Sequence, residues 1–163
     1  MKRIAAGLAL ALLAPNAALA RDRLGVWNDW GAFRDAAVPR CYAIAMAVDQ
    51  PGRQRETQPF FTIANWPRRA IHGEIHARVS RQLAPGKPVV ITIGGQKFAG
   101  AGSGYDVWAA DRRGDAAIVA ALRGNGDMTV TARGHDGRLV RDTYHLAGAA
   151  SAMDAASLGC AAS

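Results

Sequence analysis

The sequence predicts a mainly β fold: a single antiparallel domain, a β-sandwich or barrel-like, with two short helices and one disulfide. Three observations carry that prediction. Seven or eight short β-prone stretches recur at turn spacing along the 163 residues. Two stretches change to a helical period, and no βαβ rhythm links them to the strands. Two cysteines, Cys41 and Cys160, stand at the start and the end of the β-rich region. In an exported chain such a pair reads as one disulfide, worth up to ~4–5 kcal/mol on the chain-entropy model.

Export is expected from residues 1–20. Lys2 and Arg3 form a charged segment, Ile4 to Ala14 an apolar one, and Ala18-Leu19-Ala20 a small-residue cleavage site, the three parts of a secretory signal peptide. The apolar run is too short to span a bilayer, and no later stretch approaches the ~20 apolar residues of a transmembrane helix. The expected location is therefore the periplasm, the cell surface or the medium, with no transmembrane segment. The chain carries 20 Lys and Arg against 13 Asp and Glu, and loss of Lys2 and Arg3 leaves a basic surplus. Nearly all of that surplus is Arg, scattered in pairs such as Arg68-Arg69 and Arg112-Arg113. It favours anionic envelope polymers or lipid headgroups. Export excludes nucleic acid as a partner.

In chain order, residues 21–40 hold Gly25, Asn28-Asp29, Gly31 and Pro39 and read as an irregular N-terminal arm, ahead of a single β-rich domain over 41–160. From Cys41 the run CYAIAMAV puts Tyr42, Ile44, Met46 and Val48 on one strand face and Ala43, Ala45 and Ala47 on the other. With apolar residues on both faces, that strand is expected to be central and covered on both sides. Asp49 to Pro59 is polar with Pro-Gly, an exposed loop. Phe60 to Trp66 is β-prone and ends at Pro67. Residues 71–81 alternate, with Ile71, Gly73, Ile75, Ala77 and Val79 inward and His72, Glu74, His76, Arg78 and Ser80 outward.

Pro88 to Ile93 is a further strand, and Gly94-Gly95 marks a two-residue hairpin returning through Gln96 to Ala99. GAGSG at 100–104 reads as a flexible connection into Tyr105 to Ala110. Asp115 to Arg123 has an N-cap, Ala-rich helix formers and Gly124 after it. Met128 to Ala132 and Leu139 to Leu146 form a hairpin across His135-Asp136-Gly137. The Ala-rich tail from Gly148 to Leu158 reads as a short helix that brings Cys160 to its partner.

Several motifs together resemble the invasion-associated locus B family of exported bacterial proteins. They are WGAFRD with Cys41-Tyr42-Ala43-Ile44, the hairpin ITIGGQKF, Trp108 before DAAIVAALR, Met128-Thr129-Val130, and DTYHLAGAASAMD before the last cysteine. The resemblance runs from about Trp27 to Cys160, and its most specific piece is Asp142-Thr143-Tyr144-x-Leu146-x-Gly148 followed by Ala152. Members usually carry Ser where His145 stands, and often an aromatic residue or Leu at Ala149. The resemblance implies a β-rich, disulfide-bonded envelope protein with no established enzymatic chemistry. Its name adds host-surface contact as a partner class.

Candidate sites are few. Ser103 lacks the glycine pattern and the strand-to-helix turn of a nucleophile elbow, and Gly100-x-Gly102-x-Gly104 lacks the dinucleotide spacing and setting. Arg113-Gly114-Asp115 spells an integrin-binding tripeptide at a helix start, where capping accounts for it. The four Trp residues read mainly as core or core edge. His72-x-Glu74-x-His76 is the one metal-like pattern: neighbours on a strand face lie about 6.5–7 Å apart, and the outer pair about 13 Å. A third ligand would come from His135, His145 or an acid on another strand. This alternative reading is a small metal-dependent periplasmic hydrolase. The leading expectation is a non-enzymatic envelope protein without a cofactor, acting by binding or structural support. Its recognition surface is expected at Arg53 and Arg55 together with Trp66, Arg68 and Arg69, facing an envelope protein or anionic envelope polymer.

Overall fold

The computed structural model describes residues 21–52 and 54–161; the predicted signal peptide lies outside them. Ten strands follow in chain order: β1 Asp22–Trp27, β2 Trp30–Asp35, β3 Arg40–Met46, β4 Phe60–Trp66, β5 Ile71–Arg78, β6 Val89–Ile93, β7 Gln96–Ser103, β8 Asp106–Ala109, β9 Asp127–Arg133 and β10 Leu139–His145. Two helices, α1 Arg112–Ala121 and α2 Ala149–Ala161, complete the set. All strands join one antiparallel sheet in the order β1-β2-β3-β4-β5-β8-β7-β6-β9-β10. The fold is thus mainly β with two helices, as the alternation implies, and the sheet does not close into a barrel. Its far end bends back towards its beginning: Val48 N donates to the Thr143 carbonyl at 2.8 Å, and Trp30 Nε1 to the His145 carbonyl at 2.8 Å.

The inner face of the curved sheet is the core. Trp30, Phe61 and Tyr144 meet edge to face, with ring centroids 6.5 and 5.8 Å apart. Ile75, Ile91, Val107, Met128, Val130 and Val140 are buried in the same cluster. Each such side chain contributes roughly 1.5–3 kcal/mol by leaving water. Helix α2 covers β1 to β4, and α1 packs on β5 and on β8 and β7 beyond it. Cys160 of α2 is bonded to Cys41 of β3, across a sequence separation of 119.

Four expectations are corrected. The arm over residues 21–40 is not irregular: β1 and β2 form a hairpin turning at Asn28, whose φ is 50°. Gly25 and Gly31, read as turn residues, lie inside these strands because a Cβ there would strike the rings of Trp27 and Phe33. The β3 strand is not covered equally on both faces. Its small face (Cys41, Ala43, Ala45 and Ala47) is buried, while Met46 on the bulky face is 46 % exposed. The reason is α2, whose buried residues are mostly alanines (Ala149, Ala152 and Ala156, with Met153) and which approaches closely over a small-residue floor. GAGSG is strand rather than connection: β7 runs to Ser103 and pairs with β8. Its glycines make room, since a Cβ at Gly102 would lie 2.6 Å from Leu83 and 2.9 Å from Val89. Finally, α1 begins one turn earlier than expected, capped by Asp111, which accepts from Gly114 N at 2.8 Å. Asp115 instead accepts from Ile75 N at 2.9 Å, tying α1 to β5.

Candidate functional site

The end of β4 builds one candidate surface. Pro67 stops the strand after Trp66, a 3-10 turn carries Arg68 and Arg69, and Ala70 in the left-handed region (φ 50°) returns the chain to β5. Two guanidinium groups lie over the Trp66 ring, Arg69 at 5.5 Å and Arg40 at 5.4 Å from its centroid. Arg40 also sits 4.7 Å from the Tyr42 ring, which stacks on Phe33 at 5.7 Å. Stacked arginines of this kind gain about 0.5–1 kcal/mol each at exposed sites. Arg68 is exposed and lines a cavity of 350 Å3 with Arg34, Asp35, Pro39, Arg40 and Cys160. Asp35, buried, is approached by Arg21 at 3.5 Å and Arg40 at 3.9 Å. Arg40 Nε and Trp66 Nε1 are buried and have no hydrogen-bond partner among the described residues.

Trp66, Arg68 and Arg69 are therefore brought together as expected, but Arg55 does not join them. It precedes β4, at the opposite end of a strand about 20 Å long. Its Nη1 donates to Asp49 at 2.7 Å and its Nη2 to the Val48 carbonyl, so it fastens its own loop. Arg53 lies outside the described residues. Sequence reasoning missed Arg40, although its position two residues before Tyr42 on one strand places both on one face.

At the Arg55 end the structure gathers a second group that sequence reasoning also missed. Arg55, Arg81, Arg138 and Arg141 line a cleft of 280 Å3 together with Ser80 and the buried Asp142. Arg81 clasps it, donating to Glu56 at 3.3 Å, Asp136 at 3.1 Å and the Gln54 carbonyl at 2.7 Å. Glu56 also accepts from Gln82 N and from the Tyr105 hydroxyl, both at 3.1 Å. The Gln82 N–H, then Tyr105 and Arg81, hold its carboxyl below the usual range. Each of these hydrogen bonds joins residues 25 or more positions apart in the chain, so no local motif announced them.

The proposed metal face is not formed. Gly73 has φ 73° and opens a bulge: Ala64 pairs with Glu74 but Trp66 pairs with Ile71, leaving His72 and Gly73 opposite Asn65. Asn65 Oδ1 accepts from Gly73 N at 3.0 Å. His72 consequently lines the cavity beside Ile63, Asn65, Met153 and Ser157 on the helix side, away from His76. His76 Nε2 lies 2.9 Å from Asp106, with its ring between Phe60 and Trp108. His145 is engaged by Asp127 at 2.7 Å, a bond that raises its pKa. Among the described residues no group of three or more His, Cys, Asp or Glu is placed to hold a metal ion. Of the tryptophans, Trp30 is fully buried and Trp108 is 40 % exposed.

The chain matches no protein-family model, no curated protein and no solved structure. No helix among the described residues is long and apolar enough to cross a membrane.

Proposed function

We propose that this chain is an exported, non-enzymatic protein of the bacterial envelope that acts by binding or structural support, with the Trp66 corner as its contact surface. The observation that carries the reading is the Arg40–Trp66–Arg69 stack with Arg68 beside it. Stacking holds two guanidinium planes in fixed positions, which reduces the side-chain entropy lost when they meet an anion. The disulfide supports an oxidising compartment. Membership of the invasion-associated locus B family, with its host-surface role, belongs to the same proposal and rests on the motifs. The partner is an envelope protein or anionic envelope polymer.

Co-sedimentation of the purified mature chain with envelope fractions tests this. Replacing Arg68 and Arg69 with Ala is expected to lower association several-fold while leaving thermal unfolding unchanged, and the wild-type association should fall with salt. Unchanged association of that variant would remove the corner as the contact surface.

A further inference from the structure

The face of the sheet turned away from the core carries a second aromatic group. In β8, Val107 is fully buried on the core side, so its neighbours Asp106 and Trp108 stand on the other face. His76 is paired with Trp108 and Arg78 with Asp106, which puts all four side chains on that face. The His76 and Trp108 rings lie 5.3 Å apart, and His76 Nε2 is 2.9 Å from Asp106 Oδ1. Phe60 meets His76 edge to face at 5.6 Å. The indole is thus braced from the β5 side. On the β7 side its partner across the sheet is Ala101, and the partner of Asp106 is Ser103. Both are exposed. Side chains that short leave the indole uncovered, and Trp108 stays 40 % exposed.

A braced ring loses little entropy when a ligand settles on it, and Trp is enriched at such contacts. The polar groups beside it select the ligand. Arg78 Nη1 lies 3.7 Å from Asp106 Oδ1, so cation and carboxylate offset each other. The Arg78 guanidinium is held in turn over the Tyr105 ring at 5.3 Å. Besides histidines, the charged residues of β5, β7 and β8 are Glu74, Arg78, Lys97 and Asp106, which balance in sign. The rim therefore offers donors and acceptors without a surplus of charge. An anion finds no excess cation there, and a lipid surface finds one ring rather than a broad apolar patch. A sugar ring matches both parts. Its C–H face fits the indole, and its hydroxyls donate to a carboxylate and accept from a guanidinium.

We propose that the Trp108 face binds a neutral glycan chain, one sugar ring lying against the indole over Ala101 while its hydroxyls meet Asp106, Arg78 and Ser103. The inference rests on the reading of the chain as a binding protein, and it adds a second surface with a different class of ligand. Trp66 lies roughly 15 Å away, two strands over and four residues along from the partner of His76. The corner selects charge, whereas the Trp108 face selects a ring with hydroxyls.

The test uses the full mature chain with chitohexaose and cellohexaose, followed by isothermal titration. Binding of at least one hexamer is expected, with an affinity that added salt changes by less than about twofold. Trp108→Ala should weaken it by about tenfold or more. Ala101→Arg, which fills the open side of the indole without removing it, should do the same. The Arg68→Ala, Arg69→Ala double variant should bind as the wild type does. Both site positions are exposed, so thermal unfolding should not move; if Trp108→Ala melts early, Ala101→Arg alone decides. No binding of either hexamer, or unchanged binding by the deciding variant, would overturn the proposal. Tighter binding of hexagalacturonate would assign the face to anions, and Trp108-dependent capture of lipid vesicles would assign it to membranes; either overturns it. Loss of glycan binding in the Arg68, Arg69 variant would overturn it too. Failure at Trp108 with envelope association still sensitive to Arg68 and Arg69 would leave the corner reading intact.

Discussion

Two arginine groups stand at opposite ends of β4, and they use the same side chain differently. At the Trp66 corner, Arg40 and Arg69 lie over aromatic faces and Arg68 is exposed. At the cleft, Arg55 and Arg81 are largely buried, with side chains 17 % and 13 % exposed, and they donate five hydrogen bonds to carboxylates and carbonyls of the surrounding loops. The first group lies over rings at the surface; the second ties Val48, Asp49, Gln54, Glu56 and Asp136 together. An arginine count therefore says little about binding. What differs is how many of the guanidinium donors neighbouring carboxylates and carbonyls already take.

The sharpest way to break this comparison is through the disulfide. Cys160 lines the corner cavity and anchors α2 beneath β3, far from the cleft. Replacing Cys41 and Cys160 with Ala should lower stability by about 2–5 kcal/mol in urea unfolding. Anion binding at the corner should be lost at lower denaturant than the protection of amides around Arg81. Simultaneous loss of both would mean that the two ends form one cooperative unit. The next largest effect falls on the clasp. Arg81→Ala removes three donated hydrogen bonds and should cost about 1–3 kcal/mol, whereas Arg68→Ala should stay within about 0.5 kcal/mol. Similar costs in thermal unfolding would erase the distinction drawn here.

Much of this was legible in the chain. Alternation at residues 75–79, the Gly94-Gly95 hairpin and the pair Cys41 and Cys160 all appear where the local pattern put them, because each depends on near neighbours or on a unique partner. The corner was partly legible too, since Trp66, Arg68 and Arg69 are contiguous. The rest depended on long-range packing. Gly25, Gly31 and Gly102 look like turn residues until the rings and aliphatic groups above them are known. Gly73 looks like an inward strand position, yet its positive φ makes a bulge and dismantles the His72, Glu74, His76 face. The Arg81 clasp joins loops that meet only after β4, β5, β9 and β10 are assembled.

A smaller effect sharpens the view of the cleft end from beneath. The Tyr144 hydroxyl is buried without a hydrogen-bond partner among the described residues, and burial followed by the charge of Asp142 raises its pKa well above the ordinary value. Tyr144→Phe keeps the ring contact with Phe61 and removes the unpaired hydroxyl. It should raise stability by about 1 kcal/mol. A loss of that size in chemical denaturation would mean that the hydroxyl is satisfied in solution.

The smallest expected effects are those of pH, and they separate the clasp from the opposite end of β10. Asp136 and Glu56 have lowered pKa values, caused first by the backbone N–H groups of Arg138 and Gln82. A lowered folded-state value means that the stabilisation is present above the ordinary values of 3.8 and 4.5 and is lost as pH falls through the lowered ones. His145 behaves oppositely. Its bond to Asp127 raises its pKa, so its contribution is complete below 6.5 and is lost as pH rises through the raised value. Melting profiles between about pH 3 and 8 should show two independent slopes. His145→Gln should flatten the neutral slope alone, and Arg81→Ala should shrink the acid slope alone, because Arg81 helps hold both clasp carboxylates ionised. If Arg81→Ala also altered the neutral slope, the two ends of β10 would be coupled. The clasp would then act on the whole strand rather than on the loops it joins.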